Sequence, residues 1–292
     1  MVKIDLAQDG EVWLQWRKQG IGGSDAAAIM GKNPWSSAYD LWCIKTGRKP
    51  EPEINWAMQR GINMEPKARE AFEELTSIVM NPACFQHDDY EFIKCSVDGI
   101  DFTGNEILEI KCPGEHPHNQ AISGEVPDHY FLQMQHCMYV TGASRCHFFS
   151  YRPECSVPYA HIIVERDDVI ILDLLKSEIE FWHHVTTDNP PETEKSDFVI
   201  SDDFEAVSVA EKYKARQAAY NKAKALLDEA KQELLDHTDG GNCIIGSLKC
   251  TLVEKKGSVD YSNLIKSLSV DDATVESFRK PSSSYWKISE IK

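Results

Sequence analysis

The chain has 292 residues, 42% of them hydrophobic and 27% charged, and carries a formal net charge of −16. That length suits one sizeable domain plus an appendage, and the charge argues against a basic DNA-coating protein. No run approaches the ~18 apolar residues of a membrane span and no charged-then-apolar leader opens the chain, so no membrane partner and a cytoplasmic location are expected.

Residues 11–19 predict a short helix with Trp13 and Trp16 on an apolar face, ended by Gly20. In Gly20–Gly31, Ser24 is expected to cap a helix that stops at Gly31. Such a start, with the Ser24 hydroxyl and Arg17 nearby, either receives a phosphate or is an ordinary capped helix after a glycine turn. Another helix follows Pro34, capped by Ser36 or Ser37. Residues 54–76 give a long helical pattern interrupted by Gly61, with Ala68, Phe72 and Leu75 as its buried stripe. Glu65 precedes Pro66, which places it at a bend or a first turn, facing either a site or water.

Strands are expected at 77–80, 84–87 and 90–97, leading into a hairpin from Cys95 to Pro113. Asp98 ends its first strand, Gly99 and Gly104 supply turns, and Glu109 and Lys111 lie two residues apart in its second. Period-2 geometry sets Glu109 and Lys111 on one face and turns Leu108 and Ile110 into a core. Two carboxylates and a lysine facing one spot are costly to bury alone. Mg²⁺ suits them, since it takes carboxylate and carbonyl oxygens and keeps waters for substrate phosphates. Lys111 then holds an attacking water or helps deprotonate it. An isolated Glu-x-Lys also fits an exposed hairpin with one ion pair.

After Pro113, residues 114–127 predict a loop with at most one helical turn, and His116 and His118 are expected to face solvent. A helix over 128–141 carries Gln133 one turn from Tyr130 and Cys137, pointing to the site or to the surface. Strands at 144–151 and 159–166 and a helix at 167–186 complete an α/β domain with a mixed central sheet. The nine cysteines follow no C-x-x-C spacing and are expected mostly as buried thiols.

Asp188-Asn189-Pro190-Pro191 marks a boundary. It gives a domain over 1–190, a linker over 191–204 and an appendage over 205–292. Between Ala206 and Leu234 apolar residues recur at heptad spacing, broken by Arg216, for a long helix that folds back or associates with a partner. A hairpin over 243–255, short helices and a final strand follow. Residues 191–292 hold 15 Lys+Arg against 18 Asp+Glu, leaving 16 against 29 in residues 1–190. Any nucleic-acid binding by the first domain would have to use a local basic channel and backbone amides within an acidic exterior.

Asp98-Gly99 eleven positions before Glu109-Ile110-Lys111 resembles the core of the PD-(D/E)XK nuclease superfamily, with Val97 in place of a proline. The first ~186 residues further resemble the lambda-exonuclease and YqaJ-type viral recombinase family. The match runs through Trp16-Arg17, Gly22-Gly23-Ser24-Asp25, Gly61, Glu65-Pro66-x-Ala68-Arg69, Ser96-Val97-Asp98-Gly99, Leu108-Glu109-Ile110-Lys111-Cys112-Pro113, Tyr130-x-x-Gln133-x-Gln135 and Val164-Glu165-Arg166-Asp167, in that order.

The resemblance implies a restriction-endonuclease-like fold and metal ligation by Asp98, Glu109, the Ile110 carbonyl and Glu65. Lys111 would position the water, with support from Gln133. It places Arg17, Ser24 and Ser96 at the terminal phosphate or the nearby strand, with Arg48 as a further candidate. It also implies Mg²⁺ (Mn²⁺ substituting), 5′→3′ digestion of double-stranded DNA ends, a trimeric ring and a single-strand annealing partner. One alternative is a CRISPR-associated or RecB-type nuclease of the same superfamily. Its four cluster cysteines are not matched by Cys137, Cys146 and Cys155, which sit nine residues apart on or between separate elements. Another is a non-catalytic DNA-end-binding scaffold, against which the intact Asp98, Glu109 and Lys111 speak.

Overall fold

The computed structural model describes residues 1–8, 10–201, 203–268, 270–283 and 288. It divides into two compact units, Met1–Ser201 and Asp202–Lys292.

The first unit is an α/β fold. In chain order it holds β1 (Val2–Ile4), α1 (Glu11–Lys18), α2 (Ala26–Ile29), α3 (Ala38–Lys45), α4 (Trp56–Thr76), β2 (Asn81–Gln86), β3 (Lys94–Ile100), β4 (Glu106–Lys111), α5 (Glu115–Ile122), α6 (Asp128–Thr141), β5 (Arg145–Tyr151), β6 (Tyr159–Glu165) and α7 (Asp168–Thr186). The six strands lie in one mixed sheet in chain order. Every neighbouring pair is antiparallel except β4 and β5. A parallel pair needs a crossover, and α5 and α6 provide it.

Adjacent residues of β4 enter different cores. Leu108 and Ile110 pack with Ala68 and Phe72 of α4, while Ile107 packs with Met134, Cys137 and Met138 of α6. Both faces of the sheet are thus covered, which explains why β4 is a near-continuous apolar run.

Several expectations are corrected. Asp98 and Gly99 lie inside β3, which runs on to Ile100. Of the two glycines only Gly104, at φ +74°, occupies a left-handed turn. Gly99 serves close packing instead, since a Cβ there would fall 2.5 Å from Met80 Cβ. Residues 77–80 form no strand. Helix α4 passes through both Gly61 and Pro66, so Glu65 projects from mid-helix rather than from a bend or first turn. Leu75, expected in its buried stripe, is exposed. Residues 115–122 form a full helix, and His118 is buried within it, hydrogen-bonded to Ser150 Oγ at 2.8 Å and to the Val157 carbonyl at 2.9 Å. Residues 191–201 lie within the first unit, where Asp197 accepts from Ser37 Oγ at 2.6 Å and the Ile200 N–H donates to Tyr39 Oη at 3.1 Å.

The second unit holds α8 (Phe204–Asp236), β7 (Cys243–Ile245), β8 (Leu248–Cys250), α9 (Tyr261–Ser267) and α10 (Asp272–Ser277). Asp203 caps α8 by accepting the Ala206 N–H at 2.7 Å. At 1.5 Å per residue α8 is roughly 50 Å long. None of its residues is buried. The hairpin is shorter than the expected 243–255, and the final strand lies outside the described residues.

Candidate active site

The apolar run of β4 carries Glu109 into the interior, where the residue is 3% exposed. Strand β4 pairs with β5 along its whole length, from Glu106↔Arg145 to Lys111↔Ser150. With β3 its register partners are only Gly99↔Leu108 and Ile100↔Ile107. Beyond that point the two strands part. The Ile110 N–H, left without a β3 carbonyl, donates to Asp98 Oδ2 at 2.6 Å. A buried amide needs a partner, and here a carboxylate supplies it. One hydrogen bond thus brings the acid of β3 to the strand that bears Glu109 and Lys111.

Helix α6 closes the other side. Gln133 Nε2 donates to Glu109 Oε1 at 2.7 Å, and Lys111 Nζ lies 2.5 Å from the same oxygen and 3.4 Å from Gln133 Oε1. The Lys111 ammonium also sits 4.9 Å from the Tyr130 ring centroid. From α4, Arg69 Nε donates to the Asp98 carbonyl at 2.8 Å, and its guanidinium pairs with Glu65. Burial first, then Glu109 and Glu65, push the Asp98 carboxyl well above the usual carboxylate range. Burial pulls Lys111 down, but Glu109 and Asp98 more than reverse this and raise its ammonium well above an ordinary lysine. Asp98, Glu109, Lys111 and Gln133 are therefore gathered at one place, with Glu65 near enough to act on Asp98.

This donor set fits a hard divalent cation. Three carboxylates, Asp98, Glu109 and Glu65, meet two cations, Lys111 and Arg69, so the site keeps an excess of negative charge around a desolvated aspartate. Among the described residues no group of three or more His, Cys, Asp or Glu is placed to hold a metal ion. A cation there would rest on Asp98 and Glu109 alone and complete its shell with water and substrate oxygen, as Mg²⁺ commonly does.

A second cluster adjoins the first. Arg17 Nη2 donates to Ser24 Oγ at 2.9 Å, and the guanidinium lies 4.6 Å from the Trp13 ring centroid. Trp13 Nε1 donates to Ser96 Oγ at 2.8 Å. Ser96 precedes Asp98 by two positions and so shares its side of β3. Gly23 fits tightly against α6: a Cβ there would fall 2.8 Å from Cys137 Sγ and 3.2 Å from Gln133 Cγ.

The expected capping by Ser24 is corrected. Gly23–Asp25 form a 3₁₀ turn, and Asp25, not Ser24, accepts the Gly22 N–H, at 2.9 Å. Asp25 also pairs with Lys45 at 2.7 Å, so that against burial, which raises it, Lys45 and Arg17 hold its carboxyl below the ordinary value. Arg48 is not brought into this cluster. It pairs with Asp188 at 2.7 and 3.0 Å and lies 4.2 Å from the Trp42 ring centroid. Sequence reasoning missed the roles of Arg69, Trp13 and Lys45. The i,i+4 spacing of Glu65 and Arg69 was a usable signal, whereas nothing local linked Lys45 to Asp25.

Residues 12–144 match the YqaJ-like viral recombinase domain. Protein YqaJ of Bacillus subtilis strain 168 is 32% identical over 195 residues, covering 61% of this chain and 58% of that one. Protein R354 of Acanthamoeba polyphaga mimivirus is 25% identical over 155 residues, covering 48% and 28%. The chain thus spans less than two thirds of the length of either curated relative. Among solved structures, the alkaline exonuclease LHK-Exo from Laribacter hongkongensis is 27% identical with a TM-score of 0.56, covering 62% of this chain and 94% of that one. Its complex with dAMP matches equally.

Proposed function

We propose that this chain, which matches the YqaJ-like viral recombinase domain over residues 12–144 and is similar in fold to an alkaline exonuclease, is a Mg²⁺-dependent exodeoxyribonuclease acting on double-stranded DNA ends. The observation that carries this is the convergence of Asp98, Glu109, Lys111 and Gln133 where β3 and β4 part.

Glu109 forms the floor of the site, its side chain 4% exposed, and Lys111 the mouth, at 23%. Glu109 and Gln133 hold the ammonium in one place, where it donates to a water or phosphate oxygen entering from solvent. The chemistry a bound Mg²⁺ supplies here is charge stabilisation on phosphodiester oxygens. Arg69 anchors the Asp98 backbone and keeps Glu65 turned toward it. Arg17, Ser24 and Ser96 offer donors for a terminal phosphate, and charge-assisted bonds to arginine suit such an anion.

A 5′ phosphate held there sets the direction as 5′→3′ and leaves a 3′ single-stranded tail, the substrate of an annealing protein. LHK-Exo has been solved with dAMP, which supports a mononucleotide product. Assembly as a trimeric ring rests on the family resemblance and gives processivity by enclosure rather than by tight contacts. The test is end-labelled linear duplex with Mg²⁺ beside a covalently closed circle. Release of 5′-labelled mononucleotides from the linear DNA alone supports the reading; cleavage of the circle, or no release, overturns it.

A further inference from the structure

Trp35 is 75% exposed, yet its position is fixed. The Asn33 side chain accepts the Trp35 N–H at 2.9 Å and the Ser36 N–H at 3.2 Å, closing a turn that presents the indole. The ring does not stand alone. It meets His129 edge-on at 5.1 Å between centroids, and His129 lies against Tyr130 at 4.1 Å. Tyr130 in turn lies under the Lys111 ammonium. Three rings therefore lead from solvent to the catalytic lysine. A second observation concerns His129 Nε2, which is shielded from solvent and has no hydrogen-bond partner among the described residues. An orphaned ring nitrogen in such a place calls for an incoming polar atom. Burial, and after it Lys111, hold His129 below an ordinary histidine.

We propose that Trp35, His129 and Tyr130 form a stacking platform for the terminal nucleobase of the DNA strand entering the site. This rests on the nuclease reading above. The ligand class is a nucleobase: every base offers a π-face, so the platform grips any sequence, as a processive exonuclease requires. Held between the indole and the Lys111 mouth, the end nucleotide is unstacked from its neighbour and its phosphodiester lies open to attack.

The test uses the full chain as wild type, Trp35→Phe and Trp35→Ala, with duplexes carrying 2-aminopurine at the 5′- or 3′-terminal position and divalent cation withheld. Digestion of the same duplexes in Mg²⁺ is followed in parallel. Stacking quenches 2-aminopurine, so the wild type and Trp35→Phe are expected to quench one labelled end. Trp35→Ala is expected to bind about tenfold more weakly, the factor that ~1.4 kcal/mol of lost stacking represents, and to leave the bound label bright. Undiminished quenching by Trp35→Ala, or no quenching by wild type that digests DNA, overturns the platform alone. A wild type that fails to digest linear duplex overturns the nuclease reading, and the platform falls with it.

Discussion

Gln133 of α6 donates to Glu109 of β4 at 2.7 Å, on the oxygen that Lys111 also reaches. This bond fixes the carboxylate at the floor of the site and leaves Lys111 one defined position. Gln133→Leu keeps the volume and removes the donor. Digestion of linear duplex is expected to fall ~10- to 100-fold, the usual cost of losing a group that orients a ligand, with a higher Mg²⁺ requirement. Unchanged Mg²⁺ dependence would assign Gln133 to packing alone.

Asp98 is held in an environment that disfavours its charge, because burial, Glu109 and Glu65 all raise it. Asp98→Asn relieves that repulsion and keeps an oxygen for the Ile110 N–H. The variant is expected to be more stable by ~1–2 kcal/mol, as neutralised functional sites often are, and inactive. Added Mg²⁺ is expected to raise the wild-type melting temperature by binding the folded state but not that of the variant. Equal shifts would place the cation elsewhere.

The buried pair of His136 and Glu178, 2.6 Å apart, gives the fold a pH signature. Burial lowers the imidazole, and Glu178 more than compensates, raising it to about 9. A histidine raised above its ordinary ~6.5 contributes stability that is complete below that value and lost as pH climbs through about 9. Lys94 acts in the opposite sense. Burial depresses it to about 8, so its penalty holds below that pH and is relieved above it. Comparison with Glu178→Gln isolates the histidine. Between pH 7 and 9.5 the wild type is expected to lose on the order of 2–3 kcal/mol more than the variant, measured by denaturant unfolding. Parallel curves would contradict the pairing.

Arg17 and Ser24 share a hydrogen bond that an entering phosphate would replace. Arg17→Ala is expected to slow digestion of 5′-phosphorylated ends ~10-fold or more, as loss of a charge-assisted bond does, and to spare 5′-hydroxyl ends. Equal losses on both would remove the phosphate from this cluster.

Much of this was legible in the sequence because it was periodic or locally closed. Helix α6 has the expected bounds, Asp128–Thr141, set by its apolar spacing and by Gly142, which takes a left-handed conformation. The face shared by Glu109 and Lys111 followed from strand alternation. What escaped notice depends on distant partners. Gly99 looks like a turn until Met80 is seen against it. His118 looks like a loop residue until Ser150 and Val157 claim both ring nitrogens. Three-residue β1 exists through pairing with β2, more than seventy positions away. The parting of β3 from β4, which lets Asp98 reach Ile110, leaves no trace in composition or period.

The most direct test is Mg²⁺-dependent digestion of end-labelled linear duplex by the wild type and by Lys111→Ala. The Lys111 ammonium, held on Glu109 at the mouth of the site, is expected to contribute ~100-fold or more, as a positioned catalytic group commonly does, so Lys111→Ala should lose that factor. Digestion by Lys111→Ala at the wild-type rate would contradict the account.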